Sequence, residues 1–109
     1  MDNALTYNEA LKIAEAFAQK VHDELDPQAE SYLFGSVVRG ENRSKSDIDI
    51  AVLSKVFTGD VCNNYAIVSL LAYGVNSNID AQAIIYEDWI SMTPFTSEVK
   101  RQGVLVASR

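Results

Sequence analysis

Residues 34–53, "FGSVVRGENRSKSDIDIAVL", decide how this chain is read. The stretch opens on an aromatic residue and a Gly-Ser pair, crosses a polar loop and ends in "DIDIAVL". In that last segment Ile48, Ile50 and Val52 form one apolar face of a strand, and Asp47 and Asp49 share the other. Residues two apart on a strand have Cα atoms roughly 6.5–7 Å apart. Two carboxylates so placed repel unless a positive partner neutralises them. A hard divalent cation suits oxygen ligands, and Mg²⁺ takes one or two protein carboxylates together with phosphate oxygens. The alternative for a D-x-D by itself is a turn-capping Asp47 and a solvated Asp49 on an edge strand, because so short a motif recurs by chance.

The flanks narrow the choice. Gly35 lets the backbone come close to a ligand, and the Ser36 hydroxyl with free N–H groups at a helix start can hold a phosphate. Arg39, one helical turn beyond Ser36, can add charge to the same place. An ordinary turn with a surface arginine is the competing reading of these three residues. An EF-hand loop is excluded, because Ala51 and Val52 stand where a third oxygen ligand and a glycine belong. Phosphatases with an aspartate nucleophile and many metal-dependent glycosyltransferases place the apolar strand before D-x-D, whereas here a polar loop precedes it. Neither G-x-x-x-x-G-K-[ST] nor G-x-G-x-x-G occurs.

Outward from this stretch, helix and strand alternate. "TYNEALKIAEAFAQKVHDEL" is an amphipathic helix whose Thr6 and Glu9 have capping-box spacing. Ala10, Ala14, Phe17, Val21 and Leu25 form its buried stripe, and Asp26-Pro27 ends it. Residues 31–35 and 47–53 are strands, and a helix covers about residues 60–73, with Val61, Ile67, Val68, Leu70 and Leu71 on its buried side. "NIDAQAIIY" (78–86) is a third strand carrying Asp80, "YEDW" (86–89) starts a solvated loop, a helix spans 95–102, and "GVLVA" closes the chain as a last strand. The pattern predicts an α/β fold: one domain over residues 1–109, with a mixed or partly parallel sheet of about four strands flanked by helices. If the strands bearing Asp49 and Asp80 are neighbours with these faces aligned, three carboxylates share one site, an arrangement that can hold two metals for in-line displacement at phosphorus.

Composition sets the outer bounds. The 109 residues carry a net charge of −6, which argues against nonspecific binding to duplex nucleic acid or an anionic membrane. Against that background Arg39, Arg43, Lys45 and Lys55 cluster around the D-x-D stretch. One cysteine, Cys62, and one histidine, His22, allow neither an internal disulfide nor a Cys/His zinc site. Cys62 reads as a small packing residue, and His22 as a partner of the first helix's C-terminal dipole. Tyr65, Tyr73, Trp89 and Phe95 are aromatic residues for which burial is the commoner fate. With no signal-peptide pattern and no apolar run long enough for a bilayer, a cytoplasmic protein is expected.

Gly35-Ser36, ten residues and then Asp47-x-Asp49 resemble the signature of the DNA polymerase beta-like nucleotidyltransferase superfamily. The fuller "GSVVRGENRSKSDIDIAVL" resembles its minimal nucleotidyltransferase branch, the antitoxin type of HEPN/MNT modules. "NIDAQAII" is similar to the strand bearing the third carboxylate, and "PFTSEVKRQGVLV" to the closing helix and strand. The resemblance implies that Gly35 and Ser36 hold nucleotide phosphates, with Arg39 beside them. It implies that Asp47, Asp49 and Asp80 bind two Mg²⁺ ions, with Asp80 helping to deprotonate an acceptor hydroxyl. The implied reaction moves a nucleoside monophosphate, AMP from ATP, to that hydroxyl, a tyrosine of a HEPN-class toxin. Two departures stand out: there is no second domain for an acceptor, so a partner or a homo-oligomer must supply that surface, and Ala81-Gln82 is more polar than the expected continuation. A non-catalytic module that neutralises its partner by contact, and an enzyme acting on a small-molecule hydroxyl, are the alternatives.

Overall fold

The computed structural model describes residues 5–40 and 47–106. The first helix, α1 (Tyr7–Glu24), begins with the expected capping box. Thr6 Oγ1 accepts from the Glu9 N–H at 3.1 Å, and Glu9 Oε1 accepts from the Thr6 N–H at 2.9 Å, so two N-terminal donors are satisfied. Ala10, Ala14, Phe17, Ala18 and Val21 are its buried stripe. At its C-terminal end His22 Nε2–H donates to the Ala29 carbonyl at 2.8 Å, tying the helix to the chain that leads into β1.

Strands β1 (Glu30–Phe34) and β2 (Ile48–Leu53) pair antiparallel, and α2 (Val61–Tyr73) carries the chain to β3 (Ile79–Ile84), parallel to β2. Two helices, α3 (Tyr86–Ser91) and α4 (Pro94–Gln102), then precede β4 (Val104–Val106), which pairs antiparallel with β1. The sheet order is β3-β2-β1-β4, the mixed four-stranded sheet that the sequence predicts. Being central, β2 buries every residue but Asp49.

The sheet is packed on both faces. Leu33, Ile48, Ile50, Val52 and Ala81 meet Phe17 and Val21 of α1 and Val68 and Ala72 of α2. On the other face Ala51, Leu53 and Ile84 meet Val99 of α4, with Tyr32, Phe34, Tyr86 and Trp89 around them. Asp49 belongs to this second face by strand alternation. No helix among the described residues is long and apolar enough to cross a membrane.

Five sequence expectations need correction. Residues 86–91 form a helix, not a solvated loop. It is held by tertiary contacts: Trp89 stacks on Tyr32 at 5.2 Å between ring centroids, Lys100 Nζ donates to the Trp89 carbonyl at 2.6 Å, and Thr96 Oγ1 donates to the Asp88 carbonyl at 2.9 Å. In α2 the buried stripe is Asn64, Val68 and Ala72, while Val61 and Leu70 are exposed, because the helix covers only the margin of the sheet. Cys62 is exposed rather than packed. The chain after Gly35 makes a single turn, with the Val38 and Arg39 N–H groups donating to the Gly35 carbonyl at 3.2 Å, and no helix opens there. Tyr65, Tyr73 and Phe95 are exposed, and of the four aromatic residues considered only Trp89 is half-buried.

Candidate active site

The two strand-borne carboxylates meet by register. Asp49 of β2 lies directly opposite Asp80 of β3, and in a parallel pair residues in register point to the same face. Phe34, the last residue of β1, is opposite Asp49 on its other side. Asp47 is exposed and stands immediately before β2. Burial first, then the Asp80 and Asp47 charges, push the Asp49 carboxyl up to about 6, while Arg39 pulls it the other way. Asp49 thus sits half-buried among like charges with less positive charge than it needs.

Gly35 fits this arrangement in two ways. Its φ of +85° lies in the left-handed region that a side chain disfavours. A Cβ there would also collide with the Asp49 carboxylate, coming within 2.9 Å of its Cγ. The sequence suggests glycine for close approach to a ligand; in the fold the first group it approaches is Asp49. Ser36 is half-buried at the start of the turn and Arg39 exposed near its end. Gly35, Ser36, Arg39, Asp47, Asp49 and Asp80 therefore gather at one end of the sheet's second face. Arg43 and Lys45 lie outside the described residues.

Two further side chains, Gln82 on Asp80's own face and Phe95, complete the site. Gln82 Nε2 donates to Asp80 Oδ1 at 3.3 Å, so Gln82 steadies the carboxylate two residues away on its own face. Phe95, at the start of α4, packs edge-on against Phe34 at 5.5 Å between centroids, giving the carboxylate end an aromatic wall. The Thr93-Pro94 helix start was the available signal for Phe95, but only the β1 register shows that its neighbour Phe34 faces Asp49.

The donor set is all oxygen, which matches a hard divalent cation better than zinc. Among the described residues no three His, Cys, Asp or Glu side chains already form a group able to hold a metal ion. The carboxylates make an open site, suited to a cation that brings part of its oxygen shell from a phosphate-bearing substrate.

A nucleotidyltransferase domain model matches residues 12–99. Among solved structures, a candidate nucleotidyltransferase from Sulfolobus solfataricus shares 24% identity over 94% of this chain and 84% of its own, with a TM-score of 0.69. A toxin–antitoxin structure with AMP-PNP shares 27% identity over 96% of this chain and 75% of its own, with a TM-score of 0.58. A mutant of the toxin–antitoxin MntA-HpeT shares 25% identity over the same shares, 96% and 75%, with a TM-score of 0.57. Among curated proteins no sequence matches the chain. The domain match spans most of the chain and includes every carboxylate of the site, so the chain belongs to the nucleotidyltransferase domain family.

Proposed function

We propose that this protein transfers AMP from ATP to a hydroxyl, that of a tyrosine on a HEPN-class toxin, and so acts as a cytoplasmic antitoxin. The observation that carries the reading is the Asp49–Asp80 register on adjacent parallel strands, with the Gly35 backbone pressed against Asp49. Asp47, Asp49 and Asp80 would hold Mg²⁺, which when bound neutralises triphosphate charge and aligns the nucleophile with the leaving group. Gly35 and Ser36 would receive the phosphates on the backbone of the turn, with Arg39 adding charge. Asp80 would accept the proton of the acceptor hydroxyl, as Gln82 keeps its carboxylate oriented. The acceptor oxygen forms a bond to the α-phosphorus as the bond to pyrophosphate breaks.

Two likenesses support the finer parts. One neighbouring toxin–antitoxin structure contains AMP-PNP, an ATP analogue. The MntA-HpeT mutant replaces two aspartates two positions apart with glutamate, the spacing of Asp47 and Asp49 here.

The test is incubation with α-³²P-labelled ATP and Mg²⁺, comparing wild type with Asp49→Asn, each mixed with the co-encoded neighbour. Label on the neighbour with wild type alone bears out the reading. Equal binding of both forms to the neighbour, with no label in either case, replaces it with neutralisation by contact.

A further inference from the structure

The outer face of α2 is the feature that the reaction leaves unexplained. Val61 is 76% exposed, Tyr65 52%, Leu70 74% and Tyr73 79%. Cys62 and Ala66 are exposed between them, so the positions at 62, 66, 70 and 73 make a continuous outward stripe at helical spacing. From Val61 to Tyr73 the helix carries no charged residue. The other long helices differ: α1 turns Lys12, Asp23 and Glu24 to solvent, and α4 turns Lys100 and Arg101. An uncharged helix whose exposed side is mostly apolar, broken only by Asn63 and Ser69, fits an interface better than a free surface.

We infer that this face of α2 is the interface of a homodimer, covered by the same face of a second copy. Charge selects the occupant. Two copies of a chain with net charge −6 repel one another except where the contacting surface is neutral, and α2 is neutral over its whole length. A partner recognised by charge would be drawn to the acidic surface, to which α2 contributes nothing. An apolar helix face is also self-complementary, as a two-fold interface requires. Small Cys62 and Ala66 beside Tyr65, Leu70 and Tyr73 let large side chains of one helix seat over small ones of the other.

The area is of the right size. A whole aromatic side chain presents roughly 150–250 Å². At these exposures the four large side chains offer on the order of 500 Å² per copy, most of the about 800 Å² per partner in a standard interface. The helix packs along β3, an edge strand of the sheet, so a second copy can approach without crossing the carboxylate end of the opposite face. This inference does not depend on the proposed reaction.

Sedimentation equilibrium of the full chain tests it, with Leu70→Glu and Tyr73→Glu as interface variants and Ile90→Glu as the control. Ile90 is 75% exposed on α3, a different element from α2, so it reports the general cost of placing a charge on an exposed apolar site. The expected result is twice the chain mass for wild type and Ile90→Glu. Both α2 variants should raise the dissociation constant by roughly tenfold or more while keeping the wild-type circular dichroism. A wild-type chain that stays monomeric at 100 µM overturns the inference. So does a dimer that both α2 variants leave intact, and so does a monomer whose α2 variants instead lose binding to a different protein.

Discussion

Replacing Asp49 with asparagine should make the protein more stable while removing the chemistry proposed for it. Burial and the Asp80 and Asp47 charges raise the Asp49 carboxyl from 3.8 to about 6, so its ionised form is disfavoured in the folded state. A shift of about two pKa units corresponds to about 3 kcal/mol at 1.36 kcal/mol per unit. Asp49 is only half-buried, so solvent screening reduces this to about 1–2 kcal/mol. The direction with pH follows from proton linkage. Between about 4 and 6 the folded state binds more protons at this site than the unfolded state. The group's favourable contribution is therefore complete below about 4 and is lost as pH rises through about 6. Asparagine keeps the size and has no charge to lose. Urea unfolding in EDTA should show Asp49→Asn about 1–2 kcal/mol more stable than wild type at pH 8, and within a few tenths of a kcal/mol at pH 4. Added Mg²⁺ should narrow the gap at pH 8 by stabilising wild type alone, because binding to the folded form raises its stability. An asparagine variant no more stable than wild type at pH 8, or equally advantaged at pH 4, would refute the electrostatic account of the site.

Other substitutions probe single links in the same chain of reasoning. Gly35→Ala, forced into a left-handed backbone and against Asp49, should cost about 1–2 kcal/mol in thermal unfolding and abolish label transfer. Thr6→Ala removes the capping acceptor of α1 and should lower stability by about 1 kcal/mol, read from the shift in urea midpoint. Phe17→Ala, at a fully buried position between α1 and the sheet, should cost about 3–5 kcal/mol. Ser54 Oγ donates to Asp26 Oδ2 at 2.6 Å, the main cause holding the Asp26 carboxyl below its ordinary value. A lowered carboxylate stabilises above its unfolded pKa and loses that contribution as pH falls, so Ser54→Ala should cost more at pH 7 than at pH 2.5 in paired urea melts.

The elements that could be read from sequence are those in which one period dominates. In β2 the alternation of Ile48, Asp49, Ile50 separates the faces unambiguously, and in α1 the stripe from Ala10 to Val21 is joined by a capping box. The meeting of Asp49 with Asp80 was visible only as a condition. Parallel register depends on how α2 packs between the two strands, and no local pattern records that. Helix α3 escaped for a related reason: its six residues have no side-chain N-cap, and contacts from Tyr32, Thr96 and Lys100 hold it.

The misread face of α2 is different in kind. "VCNNYAIVSLLAY" has no charged residue and spreads its apolar residues around the helix, so hydrophobicity identifies the element without saying which side is buried. Sequence reasoning chose Val61 and Leu70 along with Val68; the fold uses Asn64, Val68 and Ala72 and leaves the first two in solvent. A helix needing one buried face would show a stripe, as α1 and α4 do. A helix with two buried faces, one against the sheet and one against a second molecule, would show none. The lack of period that defeated the reading is thus the same property that marks α2 as an interface helix.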